Sequence, residues 1–434
     1  MGKLLEPFNR LKSENILVVG DLLLDTYTIG KARRISPEAP VPVIHVHKEE
    51  SRPGGAGNAV LNMVSLGAKV TVLGRIGNDS TGEILLRELV SEHVNVEHVV
   101  VQQGYTTPLK NRIIADNQQI VRVDHELHTS LPLEAEAELI KKLPDLLKDI
   151  KAIAISDYGK GFLTIRLLKE LIEEARKRAI IVIVDPKGTD FTKYEGAFLI
   201  KPNLSEAYAA AHLPLDASLE EVANKLLATL NISYLMITRS EAGISLFEKT
   251  GKRKDFPVKA KEVKDVTGAG DTVLSMITCA LASDIGLKDA ILLSNVAAGI
   301  AIEHIGCARV SLTDLAKRLL NYDMDNKIFE TQHLEILKCA LKDKECISLS
   351  LTNDHMSKEL ILAMHRLKTS HQKLIISVES QKPEEEFIHS LASLYQVDFI
   401  ILNPAKELIE SSLHCKASYT FDNSDDLLSL TRNP

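Results

Sequence analysis

Short apolar runs and amphipathic stretches alternate through most of the chain. Ile16-Leu17-Val18-Val19-Gly20-Asp21, Ala152 to Ser156, Ile180 to Asp185, Ala197 to Lys201 and Tyr234 to Thr238 are brief and almost wholly apolar. That is the pattern of strands buried on both faces. Between them, Leu163 to Arg178 and Leu219 to Leu230 place apolar residues at helical spacing. The alternation predicts a doubly wound α/β sandwich of three layers around a parallel sheet. Val41 to Lys48 and Leu109 to Asp124 break the rhythm, since their alternating character suits exposed strands outside the main sheet. Beyond Asn321-Tyr322-Asp323-Met324-Asp325-Asn326, which reads as a polar linker, the pattern restarts. Cys346 to Thr352, Lys373 to Val378 and Val397 to Leu402 are predicted strands of a small Rossmann-like α/β unit. The expected domains are therefore 1–320 and 327–434, joined by 321–326.

Composition narrows the class. A chain of 434 residues exceeds the usual size of one core, and 45% hydrophobic residues suffice to build two. The 52 basic and 59 acidic residues leave a net charge of −7, which gives no electrostatic reason to expect nucleic acid or an anionic membrane as partner. Any anion site must be local. The 5 cysteines form no CxxC pair, which points away from zinc and structural disulfides and towards reduced thiols. No apolar run approaches the ~20 residues that span a bilayer, and the start lacks an extended apolar signal core. Glu6 stands where a myristoylation signal beginning at Gly2 needs Ser or Thr. A cytoplasmic protein is expected.

The chemistry concentrates in two glycine-rich loops. In Asp265-Val266-Thr267-Gly268-Ala269-Gly270-Asp271-Thr272, small residues precede the apolar helical run Val273 to Ala282. Backbone amides of Gly268, Ala269 and Gly270 can approach a phosphate closely at a helix end that favours anions. Asp271 then sits where a carboxylate accepts the proton of an attacking hydroxyl. The same residues suit an ordinary glycine turn with an acidic helix start. Far away in sequence, Arg52-Pro53-Gly54-Gly55-Ala56-Gly57-Asn58 opens a second helical stretch, Ala59 to Leu66. One loop would cradle nucleotide phosphates and the other the acceptor. Asp21, at the carboxyl end of the first strand, is a candidate for sugar hydroxyls, and equally a turn or capping acid.

With both loops in place, the chain resembles the ribokinase family of carbohydrate kinases, and within it the heptose 7-phosphate kinases fused to a nucleotidyltransferase. The resemblance rests on Arg34-Ile35-Ser36-Pro37-Glu38-Ala39-Pro40-Val41-Pro42-Val43, Arg52 to Ala56, Ser156-Asp157-Tyr158-Gly159-Lys160-Gly161, Asp185 to Phe191, Pro202-Asn203-Leu204-Ser205-Glu206, Thr238-Arg239-Ser240-Glu241 and the Asp265 loop. It implies a ribokinase-like fold with a small β lid over the sugar, and a homodimer clasped through that lid. It implies ATP and Mg²⁺, with Asn203, Leu204, Ser205 and Glu206 organising the metal and phosphates largely through water, as a cation that keeps several waters allows. The capping arrangement Asn203 to Glu206 explains the same residues as a helix start. Thr238, Arg239, Ser240 and Gly243 fall where the family holds ATP, and Asn295 is assigned to the adenine pocket. Asp265 and Thr267 lie where many members bind a monovalent cation, although no spacing argument supports one here. Asp21, Gly54, Gly55, Asn58, Arg112, Asp185 and Lys187 are assigned to the acceptor, a small-molecule sugar phosphate. Arg34, Lys110, Arg112, Arg122, Lys160 and Lys187 are the cations available for its phosphate; which of them grips it is not determined, and Lys187, with Asp185, is favoured because the two end a buried strand. A kinase for another sugar, or a non-catalytic nucleotide- or sugar-binding regulator, stays open.

The second unit resembles the nucleotidyltransferase half of those enzymes but departs from it where chemistry resides. At the place of the HxGH signature the chain reads Glu330-Thr331-Gln332-His333. An acid there repels a triphosphate, and a side chain in place of glycine blocks close backbone approach. The glycine-rich entry before the signature and the Lys-Gly-Gly and Ser/Thr-rich stretches after it are missing. A degenerate, truncated nucleotidyltransferase without adenylyltransferase activity is expected.

Overall fold

The computed structural model describes residues 4–116, 118–258, 263–304, 306, 308–322, 327–330, 334–342, 344–368, 372–380, 383–402, 413, 415–421 and 430–432. Its chain divides into two compact units, Leu11–Ser311 on one side and Met1–Arg10 with Leu312–Pro434 on the other. This division differs from the boundary expected at residue 320. Leu312–Tyr322 is a helix counted with the second unit, and it buries Leu315, Ala316 and Leu319. Residues 321 and 322 thus close a helix instead of opening a linker, and 323–326 lie outside the described residues.

The larger unit is built on an eight-stranded sheet. Its order is Arg253–Phe256, Ile244–Glu248, Tyr234–Thr238, Leu199–Ile200, Ile181–Asp185, Ala152–Ser156, Asn15–Gly20 and Lys69–Leu73. All neighbours are parallel except the two pairs made by Ile244–Glu248, which are antiparallel. Both faces of the central strands are covered, which explains their unbroken apolar composition. Leu17, Val19, Ile153, Ile155, Val182 and Val184 join the core beneath helices Ile165–Lys177 and Leu219–Leu230. By the two-residue alternation of a strand, Ile16, Val18, Ala154 and Ile183 serve the opposite face. There the helices Ala56–Ser65 and Ala269–Ala282 pack on each other and on these strands. Both glycine loops therefore open helices on one side of one sheet, at the carboxyl ends of its strands.

A four-stranded sheet stands apart, in the order Pro42–Gly55, Leu22–Ile35, Leu109–Ala115, Gln118–His125. Its strand Leu22–Ile35 continues from the main sheet after Asp21, and Pro42–Gly55 delivers the chain into the helix Ala56–Ser65. The segment expected as one exposed strand, Leu109 to Asp124, is a hairpin. It reverses at Asp116, whose φ of 50° is one that Asp tolerates better than most residues. Asn117 lies outside the described residues. Every residue of Gln118–His125 is exposed, Ile120, Val121 and Val123 among them.

The second unit carries a six-stranded sheet ordered Ile328–Glu330, Phe399–Leu402, Gln372–Val378, Glu345–Leu351, Ala417–Phe421, Leu430–Arg432. Only the last pair is antiparallel. Leu349, Leu360, Met364, Ile376, Phe387 and Ile400 are central to its core. The Rossmann-like expectation for this unit matches that architecture. Of the degenerate signature, Glu330 ends the first strand, whereas Thr331, Gln332 and His333 lie outside the described residues.

Candidate active site

Asp271 lies in the first turn of the helix Ala269–Ala282, which begins before the apolar run Val273 to Ala282 and so takes in the acid. Gly268 caps the helix at φ 78°, a left-handed conformation that a side chain would strain, and no side chain caps the helix. The Ala269 amide donates to the Val266 carbonyl at 3.3 Å, and the amides that follow in this uncapped first turn lie at the helix end that favours an anion. Asp265 shapes the approach. Its carboxylate accepts the amide and hydroxyl of Thr267 at 2.9 and 2.7 Å and the amide of Gly306 at 2.8 Å. Burial raises its pKa, but these bonds outweigh it and hold the group below the usual carboxylate range.

The Asp271 carboxylate is buried, with two donors aimed at it. Asn58 Nδ2 donates to Oδ2 at 2.7 Å and the Tyr158 hydroxyl to Oδ1 at 2.8 Å. Burial pushes its pKa up to about 6, with nearby Asp185 adding to the rise and the Asn58 and Tyr158 bonds opposing it. The Asn58 side chain is itself held by Asn62 one helical turn on, whose Nδ2 donates to Asn58 Oδ1 at 3.3 Å and to the Asn58 backbone carbonyl at 3.0 Å. The second glycine loop thereby meets the first. Gly55 precedes the helix at φ 57°, and a Cβ on Gly54 would fall 2.1 Å from Asp25 Oδ2, so the backbone must be bare there.

Asp21 is placed differently from the role assigned to it. Its buried carboxylate accepts the amides of Tyr158 and Lys160 at 3.0 Å each and of Phe162 at 3.3 Å. It holds the Tyr158–Phe162 loop in position. Burial, with Asp157 nearby, still leaves its pKa raised. Asp157 anchors the same loop, receiving Tyr194 and Lys193 at 2.6 Å each. The acid that faces the lid is Asp25, buried and paired with Arg112, whose guanidinium also lies 5.4 Å from the Tyr27 ring centroid.

Beside Asp271 opens a cleft of about 890 Å³, within the usual range for small-molecule sites. Asp185, Lys187, Asn203, Glu206, Thr238, Ser240, Gly243, Ala269, Gly270 and Asn295 all line it. Asp185 and Lys187 are thus brought together with the residues assigned to the nucleotide. Lys187 Nζ meets Glu206 Oε1 at 2.9 Å. Asn203 and Glu206 form a full capping box: Asn203 Oδ1 accepts the Glu206 amide at 2.9 Å, and Glu206 Oε2 accepts the Asn203 amide at 3.1 Å. The Ser205 hydroxyl donates to Asn203 Oδ1 at 2.7 Å, and Leu204 is exposed. Arg239 turns back to pair with Asp255 at 3.3 Å. Asn295 Nδ2 donates to the Phe256 carbonyl at 2.9 Å, so its amide ties the cleft wall together as well as lining it. Ile244, Val258, Val263, Val266 and Ile302 make that wall apolar.

Lys201, which the motifs did not single out, is buried at 2% exposure and pairs with Asp185 at 2.9 Å. Burial foremost raises the Asp185 pKa, and Lys201 opposes the rise. The Cβ of any residue replacing Gly270 would lie 3.6 Å from Lys201 Nζ and 3.8 Å from Asp185 Oδ2. Gly270 therefore holds open the space between the helix terminus and this ion pair, and does so without a left-handed φ.

The chain matches the pfkB family of carbohydrate kinases over residues 13–315. It belongs to that family. The kinase is 39% identical over 428 residues to the bifunctional protein HldE of Geobacter metallireducens, covering 91% of its own length and 84% of that protein. To HldE of Campylobacter jejuni subsp. doylei it is 39% identical over 402 residues, 89% and 85% of the two chains. Among solved structures, ribokinase of Arabidopsis thaliana complexed with ribose and ATP superposes with a TM-score of 0.56 at 16% identity, over 71% of the kinase and 99% of that chain. Phosphofructokinase-2 of Escherichia coli in complex with potassium gives 0.58 at 20% identity, over 70% and 98%. These two show the ribokinase-like fold of the larger unit. No helix of the described residues is long and apolar enough to cross a membrane.

Proposed function

We propose that this kinase transfers the γ-phosphoryl group of ATP to the anomeric hydroxyl of D-glycero-β-D-manno-heptose 7-phosphate, giving the 1,7-bisphosphate. That is a step towards the ADP-heptose of lipopolysaccharide core. The observation that carries the reading is Asp271, a buried carboxylate fixed by Asn58 and Tyr158 in the first turn of an uncapped helix. The motifs shared with heptose kinases, and the bifunctional HldE relatives, favour the heptose acceptor over other sugars.

Asp271 takes the proton of the acceptor hydroxyl as its oxygen bonds to the γ-phosphorus and the bond to the leaving ADP oxygen breaks. A pKa of about 6 leaves it largely ionised at neutral pH yet basic enough to accept that proton. Amides of Gly268 to Asp271 stabilise the negative charge on the transferring group. Lys201 and Lys187 add positive charge in the same cleft. The apolar wall with Asn295 receives the adenine, and Asn203, Ser205, Thr238, Arg239, Ser240 and Gly243 border the rest of the nucleotide.

The described residues contain no ready cluster of three or more metal-ligating side chains. Mg²⁺ keeps its waters and takes phosphate oxygens with one or two carboxylates. Asp185 and Glu206 are the carboxylates in the cleft that would hold it through those waters. Bound there, it neutralises phosphate charge. The Asp265–Thr267–Gly306 bonding leaves a monovalent cation near that loop as part of the same proposal.

Asp25, Arg112, Gly54, Gly55 and Asn58 border the acceptor, with Asp21 fixing the loop behind it. The exposed apolar residues of the lid support a homodimer formed through it, in the cytoplasm. The second unit is proposed to lack adenylyltransferase activity because of Glu330 and Gln332. Purified protein with ATP, Mg²⁺ and a panel of sugars and sugar phosphates, followed by product identification, tests the reading. Heptose 1,7-bisphosphate is the expected product; tight ligand binding without transfer would defeat it.

A further inference from the structure

Lys110 lies on the lid strand Leu109–Ala115, paired in register with Asp25. Its Nζ stands 5.9 Å from the centroid of the Tyr158 ring. The hydroxyl of that same ring donates to Asp271 at 2.8 Å. One tyrosine thus has the base at its phenolic end and an ammonium over its face.

The acids around Lys110 are already engaged. Asp25 is paired with Arg112, Glu126 with Lys160 at 2.7 Å and with His128 at 3.0 Å, and Asp124 with Arg122 at 2.8 Å. Lys110 itself makes no ion pair within 4.0 Å among the described residues. Burial pulls its pKa below the ordinary lysine value, and the charge of Lys160 pulls it further. A half-buried cation whose neighbouring carboxylates are occupied is poorly compensated. An incoming anion would restore the balance.

We infer that Lys110 reads an anionic substituent, a phosphate ester, on the acceptor at the end remote from the hydroxyl held by Asp271. The other cations offered by the sequence fit less well. Arg112 is committed to Asp25, Lys160 to Glu126, Arg122 to Asp124 and Lys187 to Glu206 across the nucleotide cleft. Arg34 is exposed on the lid. The Tyr158 ring lies between ammonium and base, which keeps the cation away from the reacting hydroxyl. This inference rests on the proposed sugar phosphate acceptor.

The test compares Lys110→Gln, Lys110→Arg and, as a control on the same lid, Lys48→Gln. The readout is the ratio of kcat/KM for heptose 7-phosphate to that for the unphosphorylated heptose. Loss of one charge-assisted contact predicts a fall in that ratio of about 10- to 100-fold in Lys110→Gln. The fall should come mainly through KM for the phosphorylated sugar, with most of the ratio recovered in Lys110→Arg and none lost in Lys48→Gln. A ratio unchanged within about twofold in Lys110→Gln, while the wild type phosphorylates the sugar phosphate efficiently, overturns the assignment of Lys110 and leaves the proposed reaction standing. Wild type that transfers to neither sugar overturns both.

Discussion

Asn58 and Asp271, 213 residues apart, are joined by a hydrogen bond of 2.7 Å between their side chains. That bond ties the helix opened by one glycine loop to the helix opened by the other. It also sets the working charge of the base, because a donor to a carboxylate favours its ionised form. Replacing Asp271 by Asn should keep the fold and most ATP binding while lowering turnover by roughly 10²–10⁴, the usual range for a general base. Steady-state kinetics with a nucleotide-binding titration decides it, and turnover within a few-fold of wild type would remove Asp271 from the mechanism.

The pH profile follows from the same carboxylate. With Asp271 near 6 in the free protein, kcat/KM should rise through an acid limb centred there, since only the ionised form accepts a proton. Asn58→Ala removes a bond that lowers the pKa, so the limb should move to higher pH. A limb that stays in place in Asn58→Ala would show that another group controls it.

Burying that carboxylate also has a stability cost with a definite sign. The folded pKa, about 6, is above the ordinary aspartate value of 3.8, so the folded state binds the proton more tightly than the unfolded chain. Stability from this group is full below the unfolded value and is lost as pH rises through the folded one. Asp271→Asn, which cannot ionise, should therefore gain in Tm relative to wild type as pH rises from 3.8 through about 6, and keep that gain at higher pH. A gap that shrinks with rising pH contradicts the burial argument.

Asp271, the proposed base, was visible in the sequence because its surroundings are local: small residues, an acid and an apolar helix in succession. The parallel sheet was equally visible, since strands covered on both faces show as unbroken apolar runs. What escaped depends on distant partners. Asp25 sits within Leu22-Leu23-Leu24-Asp25, where it reads as the end of an apolar run until Arg112 arrives from another strand. Lys201 closes a buried strand just as Asp185 does, and that shared position was the available signal for their pairing. The domain boundary was misplaced because an amphipathic helix such as Leu312–Tyr322 does not declare which core receives its apolar face.

The two glycines beside Asp271 should behave differently when substituted. Gly270→Val places its Cβ at ordinary contact distance from Lys201 and Asp185, so the protein should fold normally but lose activity through the occupied phosphate space. Gly268→Val meets a left-handed φ of 78° and should lower Tm as well. Comparing Tm with kcat for both variants separates the effects. A fully active Gly270→Val would mean that the transferring group never approaches these amides.

The second unit offers the last prediction. Glu330 ends its first strand, at the edge where a nucleotidyltransferase of this resemblance would receive a triphosphate, and it presents a negative charge there. The 434-residue protein should make the sugar bisphosphate yet release no pyrophosphate with ATP or CTP and a sugar 1-phosphate. Residues 11–311, the compact larger unit, should keep the kinase activity, because every group assigned to phosphoryl transfer lies within them. A cut near residue 320 should yield a less soluble protein, since it leaves most of the helix Leu312–Tyr322, with its buried Leu315, Ala316 and Leu319, attached without the helix Leu334–Leu341 that packs on it. Pyrophosphate release that survives Asp271→Asn but disappears in residues 11–311 would show that the second unit holds a nucleotide by other residues, and that the acid at position 330 does not prevent it.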